Sequence, residues 1–175
     1  MLLRSYQSIA ADLAPEWAAV FNVWEYREGN LYWLIKCGRG ISVRYPGNKV
    51  VAKGDPLGYE YVTWRRKHYA IHRLVFLLTQ KWLPDCIDHI DGNPGNNNAE
   101  NLRAATRLQN QHNRKANAKS KTGIKNVTPH QGKWNVRFSI AGKTKYIGCY
   151  EDLEFAELVA QEMRCLLHKE FACHV

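Results

Sequence analysis

Phe21-Asn-Val-Trp-Glu-Tyr-Arg alternates apolar and polar residues, the pattern of a half-buried strand. Glu28-Gly29-Asn30 is a turn signal, and Leu31–Lys36 reads as the return strand. Short strands are predicted at 41–45, 49–53 and 58–64, separated by Gly47, Gly54, Pro56 and Gly58. Arg65-Arg66-Lys67 reads as a hairpin tip with a strand at 68–71 behind it. The period then changes. Ile71, Leu74, Val75 and Leu78 fall on one helical face, and Pro84 follows the helix. A weaker helical pattern over residues 1–16 carries Ile9 and Leu13. The aromatics Trp24, Tyr26, Tyr32 and Trp33 are expected in the core, and His72 is expected to be structural, buried or capping its helix.

Cys86–Ile90 reads as a strand anchored by Ile87 and Ile90. Asp91-Gly92-Asn93-Pro94-Gly95-Asn96-Asn97-Asn98 is turn chemistry throughout, because Gly and Asn accept positive φ and Pro fixes its own. Asn101–Ala104 is then a second strand, and Thr106-x-x-Gln109 caps a helix starting at Arg107. Asn110 and Asn113 share a face of that helix. Further on, Lys133–Ile140 alternates cleanly, with Trp134, Val136, Phe138 and Ile140 on one face and Asn135, Arg137 and Ser139 on the other. Ala141-Gly142 turns the chain into a strand at 143–150, and a helix follows to about Lys169 with Phe155, Leu158, Val159, Met163 and Leu166 as its expected stripe. The predicted class is α+β: an N-terminal β-rich region (1–70), a strand–loop–strand–helix unit (71–114), a basic linker (115–122) and a three-stranded sheet on one helix (123–175).

The 175 residues carry a formal net charge of +9, and 45% are hydrophobic, enough for packed cores. That charge points to a polyanionic partner, nucleic acid or an anionic membrane. No apolar run approaches the ~20 residues that a membrane helix needs, and no apolar core follows Arg4, so neither a membrane span nor a secretory signal is expected. From Arg103 to Tyr150 every charged residue is Lys or Arg, a one-signed run that suits phosphate contact. The five cysteines have no C-x-x-C spacing and read as reduced thiols of a cytoplasmic protein.

Asp88 is a hard oxygen donor and Asn110 offers an amide oxygen; both suit Mg²⁺, Mn²⁺ or Ca²⁺ better than soft metals. On a strand the ring of His89 points away from its neighbour Asp88, so it can meet a water as general base without ligating metal. Asn101 on the neighbouring strand can accept from one imidazole nitrogen.

The ordered set His72-Arg73-Leu74-Val75, Asp88-His89-Ile90-Asp91-Gly92-Asn93, Glu100-Asn101-Leu102-Arg103 and Asn110-x-x-Asn113 resembles the HNH endonucleases with a ββα-metal core, in the branch typical of phage and intron homing enzymes. By that resemblance Asp88 and Asn110 hold one Mg²⁺ or Mn²⁺ per active site, His89 activates water, Asn101 orients His89, and Asn113 either assists or bonds within the loop. No small-molecule cofactor is expected. Gly132-Lys133-Trp134, Ile140-Ala-Gly142-Lys143, Ile147-Gly148-Cys149-Tyr150 and Phe171-Ala172 resemble the AP2 DNA-binding domain, whose sheet enters the major groove. This implies base contacts from Asn135, Arg137, Ser139, Thr144 and Tyr146, and phosphate contacts from Lys133, Lys143 and Lys145. Arg114 and Lys115, in the basic stretch between the units, are further DNA-binding candidates. That stretch lies along a groove or acts as a tether. The resemblances imply a monomer acting on double-stranded DNA in a bacterial or phage-infected cytoplasm, nicking one strand in the course of homing. The alternatives are a non-catalytic DNA-binding protein that retains a nuclease-like fold, and an RNA-directed enzyme.

Overall fold

The computed structural model describes residues 15–113, 116, 120–140 and 142–172. The helical pattern over residues 1–16 lies almost wholly outside them, and Arg114 and Lys115 lie outside them too. The chain divides into two compact units, residues 1–106 and 107–175.

In the first unit a short helical turn α1 (Pro15–Ala18) leads to the hairpin β1 (Trp24–Arg27) and β2 (Asn30–Trp33). Next come β3 (Lys53–Gly54), β4 (Glu60–Trp64) and β5 (Lys67–Ala70), antiparallel in the order β3-β4-β5. Arg65 and Arg66 both take positive φ at the β4–β5 tip, the turn that a two-residue hairpin requires. The strand expected over 41–45 is instead a 3₁₀ turn at Gly40–Ser42 beside an isolated bridge from Cys37 to Arg44. Ile41 is fully exposed there and Pro46 has no backbone donor, so nothing rewards a longer ladder. The strand expected over 49–53 reduces to the bridge of Lys49 with Tyr32 and to β3.

Helix α2 (Ile71–Gln80) ends at Lys81, which takes a left-handed cap conformation and donates its N–H to Leu77 O at 2.9 Å. Ile71, Leu74, Val75 and Leu78 are buried as the periodicity predicts, and Phe76 and Leu77 are buried with them. They share one core with Trp24, Leu31, Trp33, Trp64 and Tyr69, so the aromatics are structural. Trp24 lies at its centre, 5.2–5.5 Å from the rings of Trp33, Tyr69 and Trp64. The hairpin β6 (Cys86–His89) and β7 (Leu102–Ala105) adds Ile87 and Leu102 to the same core. That core runs across residue 70, where the sequence places a boundary, and it is the platform on which the 86–105 hairpin stands.

The second unit begins with α3 (Arg107–His112). Strands β8 (Val127–His130), β9 (Lys133–Ile140) and β10 (Lys143–Tyr150) form an antiparallel sheet with β9 in the middle. Asp152 caps α4 (Leu153–His168) by accepting from Phe155 N at 2.7 Å. The helix buries only part of its expected stripe: Val159 and Met163 pack against the core, but Phe155, Leu158 and Leu166 are exposed, and Ala156, Ala160 and Arg164 face inward. The alanines let the helix approach Val127, Val136 and Phe138 closely, which longer side chains would prevent. Arg164 is tolerated inside because its Nη1 donates to Lys125 O at 2.7 Å. Among the described residues no helix is long and apolar enough to cross a membrane.

Leu74 has no exposed surface, so Leu74→Ala should cost the first unit about 2–5 kcal/mol. Urea denaturation followed by tryptophan fluorescence measures it. An unchanged midpoint would contradict the core described.

Candidate active site

Strand β6 sends Ile87 and His89 to one face and Asp88 to the other. Ile87 is in the core, while the second expected anchor, Ile90, is largely exposed beyond the strand end. Asp88 is 2% exposed and His89 6%. A carboxylate so deeply placed requires a partner. The register supplies one, because Asp88 pairs with Arg103 of β7 and paired residues share a face. Arg103 Nε and Nη2 donate to Asp88 Oδ2 at 2.8 and 2.7 Å.

The loop between the strands is knitted by its own amides. Asp91 Oδ1 accepts from Asn93 N at 2.8 Å and from Asn101 Nδ2 at 3.0 Å, and Asp91 Oδ2 accepts from Asn96 Nδ2 at 2.8 Å. Asp91 N returns a bond to Asn101 Oδ1 at 3.1 Å. Burial pushes the Asp91 carboxyl upward, but the Asn96, Asn93 and Asn101 donors outweigh it and hold the group below its ordinary range. Gly58 adopts positive φ in the turn before β4, and a Cβ there would come 3.0 Å from Pro94 of this loop. The β3–β4 turn therefore abuts the loop where only glycine fits easily.

Asn101 is thus committed to Asp91 and Asn96 and is not the ring partner of His89 that the sequence suggested. Asn97 makes that contact, with its Oδ1 3.3 Å from His89 Nε2. Asn97 Nδ2 in turn donates to Glu60 Oε2 of β4 at 2.9 Å. The ring of His72, from the first turn of α2, sits 5.3 Å from that of His89, and Tyr59 lies within 6.0 Å of both. His72 is held to about 4 by burial first, then by His89 and Arg73, and among the described residues its buried Nδ1 has no hydrogen-bond partner. Arg103 was not expected to face Asp88; the strand register alone could have marked it. His72 belongs to the His72–Val75 motif of the sequence, although it was expected there as a structural residue, whereas Glu60 and Tyr59 carry no signal that would place them here.

Residues 69–112 match the HNH endonuclease family model. The matched segment spans α2, the β6–β7 hairpin with its loop, and α3. No curated protein and no solved structure matches the chain. The HNH segment supports a nuclease, and thus a nucleic-acid substrate. HNH nucleases generally use a divalent metal. Among the described residues no three His, Cys, Asp or Glu side chains gather as a cage for one. The oxygens on hand, a carboxylate and several carboxamides, are hard donors of the kind Mg²⁺ accepts. A carboxylate has about four acceptor positions and each carboxamide oxygen two, so a set of this chemistry fits such an ion.

The remaining site candidates lie in the second unit. Asn110 is half-buried on α3, and Asn113 is buried just past its end, its N–H bonded to Gln109 O at 3.2 Å. In the sheet, Arg137 pairs with Tyr146 and Ser139 with Thr144, so these four share the face away from α4. All four are exposed. Asn135 belongs to that face by alternation, yet it is 3% exposed in the middle strand between Thr128 and Cys149. A place on the outer face does not bring Asn135 access to solvent. Lys143 and Lys145 pair with Ile140 and Phe138, which puts both lysines on the helix-side face. Lys133 binds Glu151 at 2.8 Å.

The low value of His72 makes stability depend on pH. Unfolded, this histidine takes a proton near 6.5; folded, it resists to about 4. Between those values the unfolded state binds more protons, so the contribution is full above the upper value and is lost as pH falls toward the lower. Its ceiling is about 3 kcal/mol. Urea midpoints taken between pH 7 and 4.5 should fall less steeply for His72→Gln than for the native chain; equal slopes would show that His72 does not carry the effect.

Proposed function

We propose that this chain is a site-directed, metal-dependent DNA endonuclease that nicks one strand of a duplex as a monomer, in the manner of homing enzymes. The observation that carries the reading is the HNH hairpin itself: consecutive buried Asp88 and His89 side chains, each pinned by a neighbour, inside a segment matched to nucleases. Asp88 and Asn110 would hold one Mg²⁺ or Mn²⁺, whose chemistry when bound is to offset charge on the phosphate and on the departing oxygen.

The chain's own residues supply the rest. His89 takes a proton from water as the water oxygen bonds to phosphorus. The bond from phosphorus to one sugar oxygen breaks, and that oxygen is protonated from solvent. Arg103 fixes the Asp88 carboxylate in place. The proposed DNA-reading surface is the outer face of the β8–β9–β10 sheet, where Arg137 offers guanine a bidentate donor pair and Ser139, Thr144 and Tyr146 add polar groups. Lys143 and Lys145 suit flanking phosphates, as Arg114 and Lys115 do. Lys133 would reach phosphate only by releasing Glu151. The one-signed charge from Arg103 to Tyr150 makes duplex nucleic acid the partner that this surface favours.

Changing His89→Ala should slow cleavage of a bound duplex by about 10²–10⁴-fold while leaving its affinity nearly unchanged. Single-turnover cutting and gel-shift titration on the same DNA separate the two. Cutting at the native rate would remove His89 from the mechanism.

A further inference from the structure

The Asn97 amide can be oriented without ambiguity. Its Nδ2 end faces Glu60 Oε2 at 2.9 Å and Gly95 O at 3.4 Å. A carboxylate and a backbone carbonyl only accept, so the NH₂ group must lie on that side. The opposite end, 3.3 Å from His89 Nε2, is therefore the carbonyl oxygen, which also only accepts. A neutral imidazole bonded there must carry its hydrogen on Nε2, which leaves the lone pair on Nδ1.

We propose that Glu60 is a positioning residue for the general base: through Asn97 it holds His89 as the Nε2–H tautomer, with Nδ1 as the atom that accepts the proton from water. Glu60 lies at the start of β4, outside the segment matched to the HNH family and 37 positions from Asn97. The N-terminal strands thus do more than support the hairpin, because they set which ring nitrogen is basic. Without the carboxylate, Asn97 Nδ2 keeps, among the described residues, the 3.4 Å contact to Gly95 O. The amide can then rotate, and the NH₂ it presents to the ring favours the other tautomer. A base with its lone pair on the wrong nitrogen is misdirected even though its ring has not moved. The kinetic consequence rests on the endonuclease reading above; the tautomer does not.

The test is a long-range ¹H–¹⁵N correlation spectrum of the full chain with ¹⁵N-labelled histidine at neutral pH, His89 being assigned through its absence in His89→Ala. The native chain should show the Nε2–H pattern at His89. Glu60→Leu and Asn97→Leu break the relay from opposite ends, and both should lose that pattern. Glu60→Gln keeps an acceptor for Asn97 and should restore it. On DNA, Glu60→Leu should lower kcat by about 10–100-fold with KM little changed, and Glu60→Gln should recover much of the loss. A native Nδ1–H pattern, or an Nε2–H pattern that survives both leucine variants, overturns the proposal. If the spectra behave as described but the native chain cuts no DNA, the relay stands and the nuclease reading falls.

Discussion

A carboxylate with almost no contact with solvent needs a cation or a set of donors beside it, and the β6–β7 ladder brings Arg103 to Asp88. The ion pair and the strand register depend on each other. A one-residue slip would turn Arg103 to the opposite face, strand Asp88 and expel Leu102 from the core. Removing one member of such a pair typically costs about 3–5 kcal/mol. The register in turn fixes the start and end of the loop between the strands, and so the place of every asparagine in it.

That loop uses amides where another protein might use bulk. Asp91 gathers donors from Asn93, Asn96 and Asn101 into a closed set, and Asn97 is left to span from His89 to Glu60. Neighbouring asparagines thus divide the labour. Asn101 closes the base of the loop, and Asn97 faces the imidazole. Beneath them, Ile87, Leu102 and the buried side of α2 form a continuous apolar floor that a loop alone could not provide.

Much of this was legible in the residues. The period of α2, the turn chemistry of Asp91–Asn98 and the alternation in β9 each follow from local rules, and these three lie within a residue or two of their expected places. What escaped has three physical causes. Two asparagines four positions apart in one loop have equal chemistry, so only coordinates tell Asn97 from Asn101 as the ring partner. Glu60 reaches the site from a distant strand, and no period or spacing marks that contact. Finally, counting large apolar residues found Val159 and Met163 but misjudged the rest of the inner face of α4, where closeness to the sheet favours Ala156 and Ala160, and strand alternation gave the side on which Asn135 lies but not its depth.

The proposed activity is hydrolysis of DNA at the Asp88–His89 hairpin with a divalent metal. Incubating the native chain with a pool of randomised duplex DNA and Mg²⁺, then sequencing the ends produced, addresses it most directly. Ends should accumulate on one strand at a shared sequence and vanish when the metal is chelated. Ends no more frequent than in a protein-free control, across Mg²⁺ and Mn²⁺ and at protein in excess of sites, would contradict it.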